Sequence, residues 1–383
     1  MDFDLSEDQR LLQDSVSRLL ADRYGFEARK NYLKEAEGWS TELWSQYAEL
    51  GLLGLPFPED YGGFGGSAVE VMLVMQAFGR ALSVEPFLPT VVLGGTALRL
   101  AGSEAQRADL LPRIAEGKLK LAFAHGERQA RYDVTDVLTT AKPNGQGQNG
   151  QGFVIEGGKS VVAHGDSADT LIVSARTAGE RDDPDGISLF LVDARANGVA
   201  RRGYTLRDGS RAAEIALSGV QVAKADLLGE PGTALPIIER VIEAGIAATA
   251  AEVVGAMETI QFTTLEYLKT REQFGQPIGR NQVLQHRSAE MFVALEQGRS
   301  MAMLAAVSVD EPDAAERARA ISMAKVGVGQ AGKFVSQQGI QLHGGIGMTE
   351  EYSVGHYFRR IMVIEHMFGD TPYHLARLAE GVG

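Results

Sequence analysis

Two short stretches in the last third of the chain carry residue types suited to holding a phosphate. Gly344, Gly345 and Gly347 stand in Gln341-Leu342-His343-Gly344-Gly345-Ile346-Gly347. Without a Cβ, backbone N–H groups there can approach an anion closely. Upstream, Arg271-Glu272-Gln273-Phe274-Gly275-Gln276-Pro277-Ile278 offers a fixed positive charge at Arg271 and a flat apolar ring at Phe274. A guanidinium grips phosphate in a way few other side chains can. The same glycines would also serve a plain tight turn between helices, so the spacing alone leaves both uses open.

Other chemistries lose their supports. The chain has no cysteine, which removes disulfides, thiolate nucleophiles and cysteine metal sites. No His-Glu-x-x-His or Gly-x-Ser-x-Gly run occurs. Gly327-Val328-Gly329-Gln330-Ala331-Gly332 spells the dinucleotide fingerprint, but inside a helical pattern that starts near Asp313 and not after a strand. It is expected to be a helix-packing stripe. Gly158-Lys159-Ser160 ends like a phosphate loop, yet Phe153 stands where the first glycine is required.

The elements that must position these residues fall into three segments. From Asp4 to about Leu119 the apolar spacing is helical, with Ser6 and Gln9 forming a capping box. From about Lys118 to Gly229 short β-rich runs appear: 119–124, 153–155, 170–174, 188–192 and 213–217. The Gly/Gln/Asn-rich stretch Pro143–Gly152 reads as a hairpin loop. From Pro236 onward the pattern is helical again, over about 236–269, 281–309, 313–338, 353–367 and 371–380, as in an antiparallel bundle. The first of these helices carries Ala or Gly on every face and is expected to be central. The predicted domains are therefore 1–118 helical, 119–229 β and 230–383 helix bundle. The class is α+β, mostly α.

The 383 residues include 37 Lys plus Arg and 50 Asp plus Glu, a net charge of −13. A broad basic face for nucleic acid does not fit that balance. No apolar run reaches membrane-spanning length, so no membrane insertion is expected. The start, Met1-Asp2-Phe3-Asp4, lacks the basic and apolar regions of a signal peptide, and the expected address is the cytoplasm.

Four motifs in this helical–β–helical frame carry a resemblance. They are Leu50-Gly51-Leu52-Leu53-Gly54-Leu55-Pro56, then Pro58-Glu59-Asp60-Tyr61-Gly62-Gly63, the Arg271 stretch and the Gly344 stretch. Together they resemble the acyl-CoA dehydrogenase family of flavoproteins over nearly the whole chain. The resemblance implies that family's fold, an FAD cofactor, an acyl-CoA substrate and oligomeric assembly. It also implies an electron-transfer flavoprotein as acceptor. Arg271, Phe274 and the glycine turn (Gln341, Gly344, Gly345, Gly347) would contact the FAD of a neighbouring subunit, with Gln282 also near the cofactor.

This sequence departs from the family where the chemistry happens. The family loop Thr-Glu-Pro-Gly-x-Gly-Ser-Asp reads Gly126-Glu127-Arg128-Gln129-Ala130-Arg131-Tyr132-Asp133, without the threonine and serine hydroxyls. The motif Lys-x-Trp-Ile-Thr-Asn reads Lys159-Ser160-Val161-Val162-Ala163-His164. The family's base is a carboxylate that takes the proton α to the thioester. At one familiar position stands Phe368, in Met367-Phe368-Gly369-Asp370-Thr371; at the other stands Gly245. The acids left nearby are Glu252, Glu243 and Asp370. Glu252 falls two turns beyond Gly245 and nearly on the same helix face. Its neighbours are small, so its carboxylate would be partly desolvated, as suits a base or a buried acid paired with an arginine.

Three arrangements follow. A related large subunit supplies the base in a hetero-oligomer; a homo-oligomer works with Glu252 or Glu243; or the chain is a flavin-free structural subunit.

Overall fold

The structure, a computed structural model, describes residues 5–144 and 152–380. The acidic start Met1–Asp4 and the interior of the Pro143–Gly152 loop lie outside the described residues. The chain packs as two compact units. One holds the stretch up to Lys34, Ser67–Ser83 and everything from Ile246 on. The other holds Glu35–Gly66 and Val84–Gly245.

The first third is helical: α1 (Glu7–Arg23), α2 (Phe26–Tyr32), α3 (Thr41–Glu49), α4 (Ala68–Ala81), α5 (Gly95–Ala101) and α6 (Glu104–Ala115). The capping box at α1 is formed, with Gln9 N–H donating to Ser6 Oγ at 3.2 Å and Ser6 N–H to Gln9 Oε1 at 3.0 Å. Ser67 with Glu70 and Ser103 with Gln106 repeat it at α4 and α6. Each box satisfies backbone donors that a helix start leaves orphaned.

The middle third is a β-domain. Its strands are β1 (Leu121–Ala124), β2 (Thr140–Asn144), β3 (Gly152–Ala163), β4 (Thr170–Arg176), β5 (Ile187–Asp193), β6 (Val199–Thr205), β7 (Arg211–Ala223) and β8 (Leu227–Leu228). The sheet order is β6-β7-β3-β2-β4-β5-β8, with β1 alongside β4. Pairing is antiparallel except for β1 and β2 against β4. Among the described residues no α-helix intervenes between β1 and β8. Ile155, Leu171, Phe190 and Ile215 fill its core.

Two strands have no hydrophobic signature. β2 contains Pro143, which costs no ladder bond there because beyond Thr140 the strand pairs only with β3. β6 is an edge strand whose Val-Ala-Arg-Arg-Gly-Tyr-Thr run has little to bury.

The last third is the helix bundle: α7 (Leu235–Thr270), α8 (Gln282–Ser308), α9 (Ala314–His343), α10 (Ser353–Glu365) and α11 (Thr371–Glu380). A small hairpin, β9 (Glu272–Gln273) and β10 (Gln276–Pro277), joins α7 to α8. α9 continues past the expected end at 338 and stops at His343. The fingerprint-like glycines lie inside it. A Cβ on Gly327 would meet Met301 Cγ at 2.6 Å, and one on Gly332 would meet Val253 Cγ1 at 2.8 Å. They are contact points between helices.

The tightest such contact joins α4 and α7. A Cβ on Gly79 would enter the Glu252 carbonyl oxygen, and one on Gly255 the Gln76 carbonyl oxygen. Each helix thus presents a glycine to the other's backbone. Around the crossing, the Glu258 carboxylate accepts from Arg80 at 2.6 Å, Gln76 at 2.6 Å and Arg299 at 2.7 Å.

The crossing makes a definite prediction. Gly255→Ala forces the two backbones apart, and overpacking of this kind costs about 1–3 kcal/mol. Urea denaturation should show a lower midpoint with little change in slope. Gly345→Ala, where a Cβ meets nothing within 4 Å, should leave the midpoint in place.

Candidate cofactor and active site

At the end of α7 the chain turns sharply. Phe274 and Gly275, at the tip of the β9–β10 hairpin, have φ of 55° and 76°. Two successive left-handed residues make a type I′ turn, which suits glycine and strains phenylalanine. The Phe274 side chain is 100% exposed. A strained, fully solvated aromatic gains nothing within this chain and is shaped to meet something outside it. Arg271, at the foot of the hairpin, is also exposed, and its guanidinium makes no hydrogen bond or ion pair among the described residues.

The glycine turn closes α9 in the same unit. Gly344 has φ 63°, and a Cβ on Gly344 or Gly345 would meet nothing within 4 Å, so the outer face of the turn is bare backbone. Gly347 is buried and packs under Ile340 and His343. Tyr267, one turn before Arg271, lies 4.5 Å from the His343 ring, and His343 lies 5.0 Å from Tyr352. Burial lowers the His343 pKa, with Nδ1 hydrogen-bonded to the Gly339 carbonyl at 2.7 Å. This stack ties the end of α7 to the start of the glycine turn. Gln282 and Gln341 are exposed at the two helix ends beside these motifs.

The donor set fits one end of FAD. An unpaired guanidinium, bare glycine backbone and a free aromatic face are what a diphosphate and an adenine require.

The acids are otherwise engaged. Glu252 is 2% exposed, and Arg360 takes both its oxygens, Nε at 2.5 Å and Nη2 at 2.9 Å. This is a two-pronged pair within the bundle, the arginine-paired alternative. Asp370 Oδ1 accepts the Tyr373 N–H at 3.0 Å and so caps α11. Glu243 is buried on α7. Phe368 and Gly369 have φ of 60° and 100°, and the Phe368 carbonyl accepts from His374 Nε2 at 2.9 Å. Burial pushes His374 down to about 4, so the ring is neutral and its Nδ1 accepts from Ser322 Oγ at 3.1 Å.

The middle domain holds a buried charge network that sequence reading passed over. Lys159, rejected as a phosphate loop, points into the core of the domain at 1% exposure. It donates to Glu127 at 2.6 Å, Ser174 Oγ at 2.9 Å and the His125 carbonyl at 3.2 Å. Glu127 also accepts from the Leu138 N–H at 2.8 Å and the Thr139 N–H at 3.1 Å. Burial alone would raise the Glu127 pKa, but the Lys159 charge and these donors hold it at about 2. Burial pulls Lys159 down to about 8, against the attraction of Glu127. Both groups are therefore charged near neutral pH. Burial first, then the Lys159 charge, drops His125 to about 3. The available signal was Lys159 itself, a lone cation in a β-rich run.

Two positions on β3 carry the departures from the Lys-x-Trp-Ile-Thr-Asn motif. A bulge between Lys159 and Val162 gives Val161 a φ of 52° and 58% exposure. Val161 and Ala163 offer neither an aromatic plane nor a hydroxyl there.

The ion pair should reveal itself in a double-mutant cycle. Lys159→Met and Glu127→Leu should each cost about 3–5 kcal/mol, since each leaves a buried charge unpaired. The double variant should cost clearly less than the sum. Denaturant titration of all four proteins measures this, and additive losses would exclude the coupling.

Comparison with known proteins agrees with the fold. Sequence models for the acyl-CoA dehydrogenase N-terminal, middle and C-terminal domains match residues 6–118, 122–220 and 235–383. The chain is 29% identical to the probable acyl-CoA dehydrogenase YngJ of Bacillus subtilis, covering 99% of this chain and 98% of that one. It is 30% identical to the acyl-CoA dehydrogenase fadE12 of Mycobacterium tuberculosis, over 91% of this chain and 89% of that one. A chain of the ChsE4–ChsE5 complex from Mycobacterium tuberculosis superposes with a TM-score of 0.87 at 25% identity, covering 100% and 99%. The three models match in order along nearly the whole chain, and this chain belongs to the acyl-CoA dehydrogenase family.

Proposed function

We propose that this chain is one subunit of an FAD-dependent acyl-CoA dehydrogenase whose base comes from a related partner chain. The observation that carries the reading is the fate of the acids. Neither familiar base position holds a carboxylate, Glu252 is taken by Arg360, and Asp370 caps a helix. The parts suited to the nucleotide end of FAD are retained. The similarity to a chain from a two-protein complex supports the same division.

In this reading Arg271 neutralises the FAD diphosphate, the Gly344–Gly345 backbone approaches it, and Phe274 covers the adenine. Gln282 and Gln341 add polar contacts. Bound FAD supplies the acceptor for the hydride leaving the β carbon of an acyl-CoA thioester. This chain's middle domain meets it with backbone groups, since Gly126 and Ala163 bring no hydroxyl. The proton at the α carbon goes to the partner's carboxylate. An electron-transfer flavoprotein then takes the electrons. From Leu5–Arg10 through Ala124–Asp133 and onward the chain also resembles the small subunit of pimeloyl-CoA dehydrogenase, which favours a dicarboxylic or cyclic acyl group.

Anaerobic bleaching of the flavin by a panel of acyl-CoAs tests the base. The chain alone should bleach about 10²–10⁴ times more slowly than with a co-expressed related chain, the usual effect of a missing general base. Fast bleaching by the chain alone, lost in Glu252→Gln, would overturn the reading in favour of a self-sufficient homo-oligomer.

Arg271 is tested separately. Arg271→Ala should lower the FAD content of the purified assembly without shifting the unfolding midpoint of the FAD-free protein. An unchanged flavin-to-protein absorbance ratio would remove Arg271 from the site.

A further inference from the structure

His343 is the last residue of α9 and stands immediately before Gly344. It is 3% exposed, and its ring is held from three directions. Nδ1 lies 2.7 Å from the Gly339 carbonyl, one turn back, so Nδ1 carries the proton and donates it. Tyr267 of α7 stacks on the ring at 4.5 Å, with 32° between the planes. Tyr352, the N-cap residue of α10, closes on it at 5.0 Å and 50°. Nε2 is buried and has no hydrogen-bond partner.

These contacts lead to both halves of the candidate site. The Arg271 N–H donates to the Tyr267 carbonyl at 2.8 Å, and the Ile278 N–H donates to the Arg271 carbonyl at 2.8 Å. Tyr267 therefore carries the base of the hairpin on which Arg271 and Phe274 are mounted. On the other side, a Cβ on Gly347 would meet His343 Cβ at 3.1 Å, so the glycine turn folds back against this residue. A displaced imidazole moves the hairpin and the turn relative to each other.

We propose that His343 is a positioning residue that fixes the separation of the Arg271 hairpin from the glycine turn, and that its protonation loosens both and releases bound FAD. The inference rests on the reading above, in which those two motifs hold FAD. It adds what keeps them in register and what lets them go.

The direction of the pH effect follows from burial. Burial lowers the His343 pKa from 6.5, outweighing the Gly339 and Thr263 carbonyls, which favour a charged ring. The titratable groups that face it are Tyr267 from α7 and Tyr352 from the start of α10. Among the described residues no charged side chain joins its hydrogen-bond or ring contacts. The stacked arrangement therefore belongs to the neutral ring. It is fully favoured above 6.5 and is lost as the pH falls through the lowered value, because a loosened site takes up the proton more readily.

Two substitutions separate positioning from plain stability. His343→Leu removes the ring stack, and His343→Phe keeps a stacking ring that cannot titrate. FAD affinity of the purified assembly is measured across the range in which histidine titrates. His343→Leu should weaken FAD at least about tenfold at neutral pH, as the loss of two aromatic contacts does. His343→Phe should rescue that loss and flatten the fall in affinity that wild type shows in acid. Other buried histidines titrate equally in wild type and in His343→Phe, so the difference between their profiles reports His343 alone. An unchanged affinity in His343→Leu, or a His343→Phe profile that follows wild type, would overturn the proposal. If His343→Leu folds poorly, the His343→Phe profile carries the test.

Amide hydrogen exchange of the FAD-free full chain gives a readout without cofactor. In His343→Leu, exchange should speed up together at the hairpin base (Arg271, Ile278) and in the turn (Gly344, Thr349). Faster exchange in the turn alone would overturn the proposal and leave the FAD reading standing. Coupled exchange with a flavin content indifferent to Arg271→Ala would keep His343 as the joint between the two motifs and remove the FAD reading.

Discussion

Gly79 of α4 and Gly255 of α7 let two helix backbones touch, and the C-terminal unit is arranged around that contact. A backbone-to-backbone crossing leaves no side chain to adjust, so the axes of both helices are fixed there. Glu258 binds three donors beside the crossing, and Tyr357 on α10 donates its hydroxyl to the Arg80 carbonyl. α9 is then placed against α7 by Gly332 on Val253 and Gly339 on Ile260. Both motifs proposed for the cofactor hang from these fixed helices. The Arg271 hairpin ends α7 and the glycine turn ends α9, and the Tyr267–His343 stack ties the two ends. Helix composition therefore sets the placement of both motifs at a distance.

The same economy explains the acids. In a bundle with so little side-chain volume on its central helix, a buried carboxylate is tolerated only when paired. Glu252 has Arg360 and Glu258 has Arg80 and Arg299. An acid paired in this way fastens helices, and a base must instead present an unshared oxygen to the substrate carbon. The chain thus keeps carboxylates for cohesion and has none free at the positions where the family places its base.

Much of this could be read from the residues, and the exceptions have physical causes. The capping boxes, the 3.6-residue periods and the small-residue helix announce themselves because each is local. So does the glycine turn at Gly344, Gly345 and Gly347, although its spacing alone left a plain turn open as well. β2 and β6 could not be read, because a strand beside one neighbour or at an edge needs no apolar alternation. Arg360 as the partner of Glu252 lies 108 residues away in sequence, and no local pattern links the two. Lys159 stands out in the sequence only as the end of a failed phosphate loop, and only the fold shows that Glu127 waits behind it.

The Glu127–Lys159 pair has one more consequence. It clamps the segment after β1 from beneath, through charges and backbone amides that face the sheet. Gln129 of the same segment adds a side-chain bond, donating to Glu127 at 2.9 Å and to Asp136 at 3.2 Å. Arg128, Arg131 and Tyr132 stand where the family has proline, glycine and serine, yet the loop keeps its anchor. A loop held from beneath in this way can exchange its exposed side chains without refolding the domain.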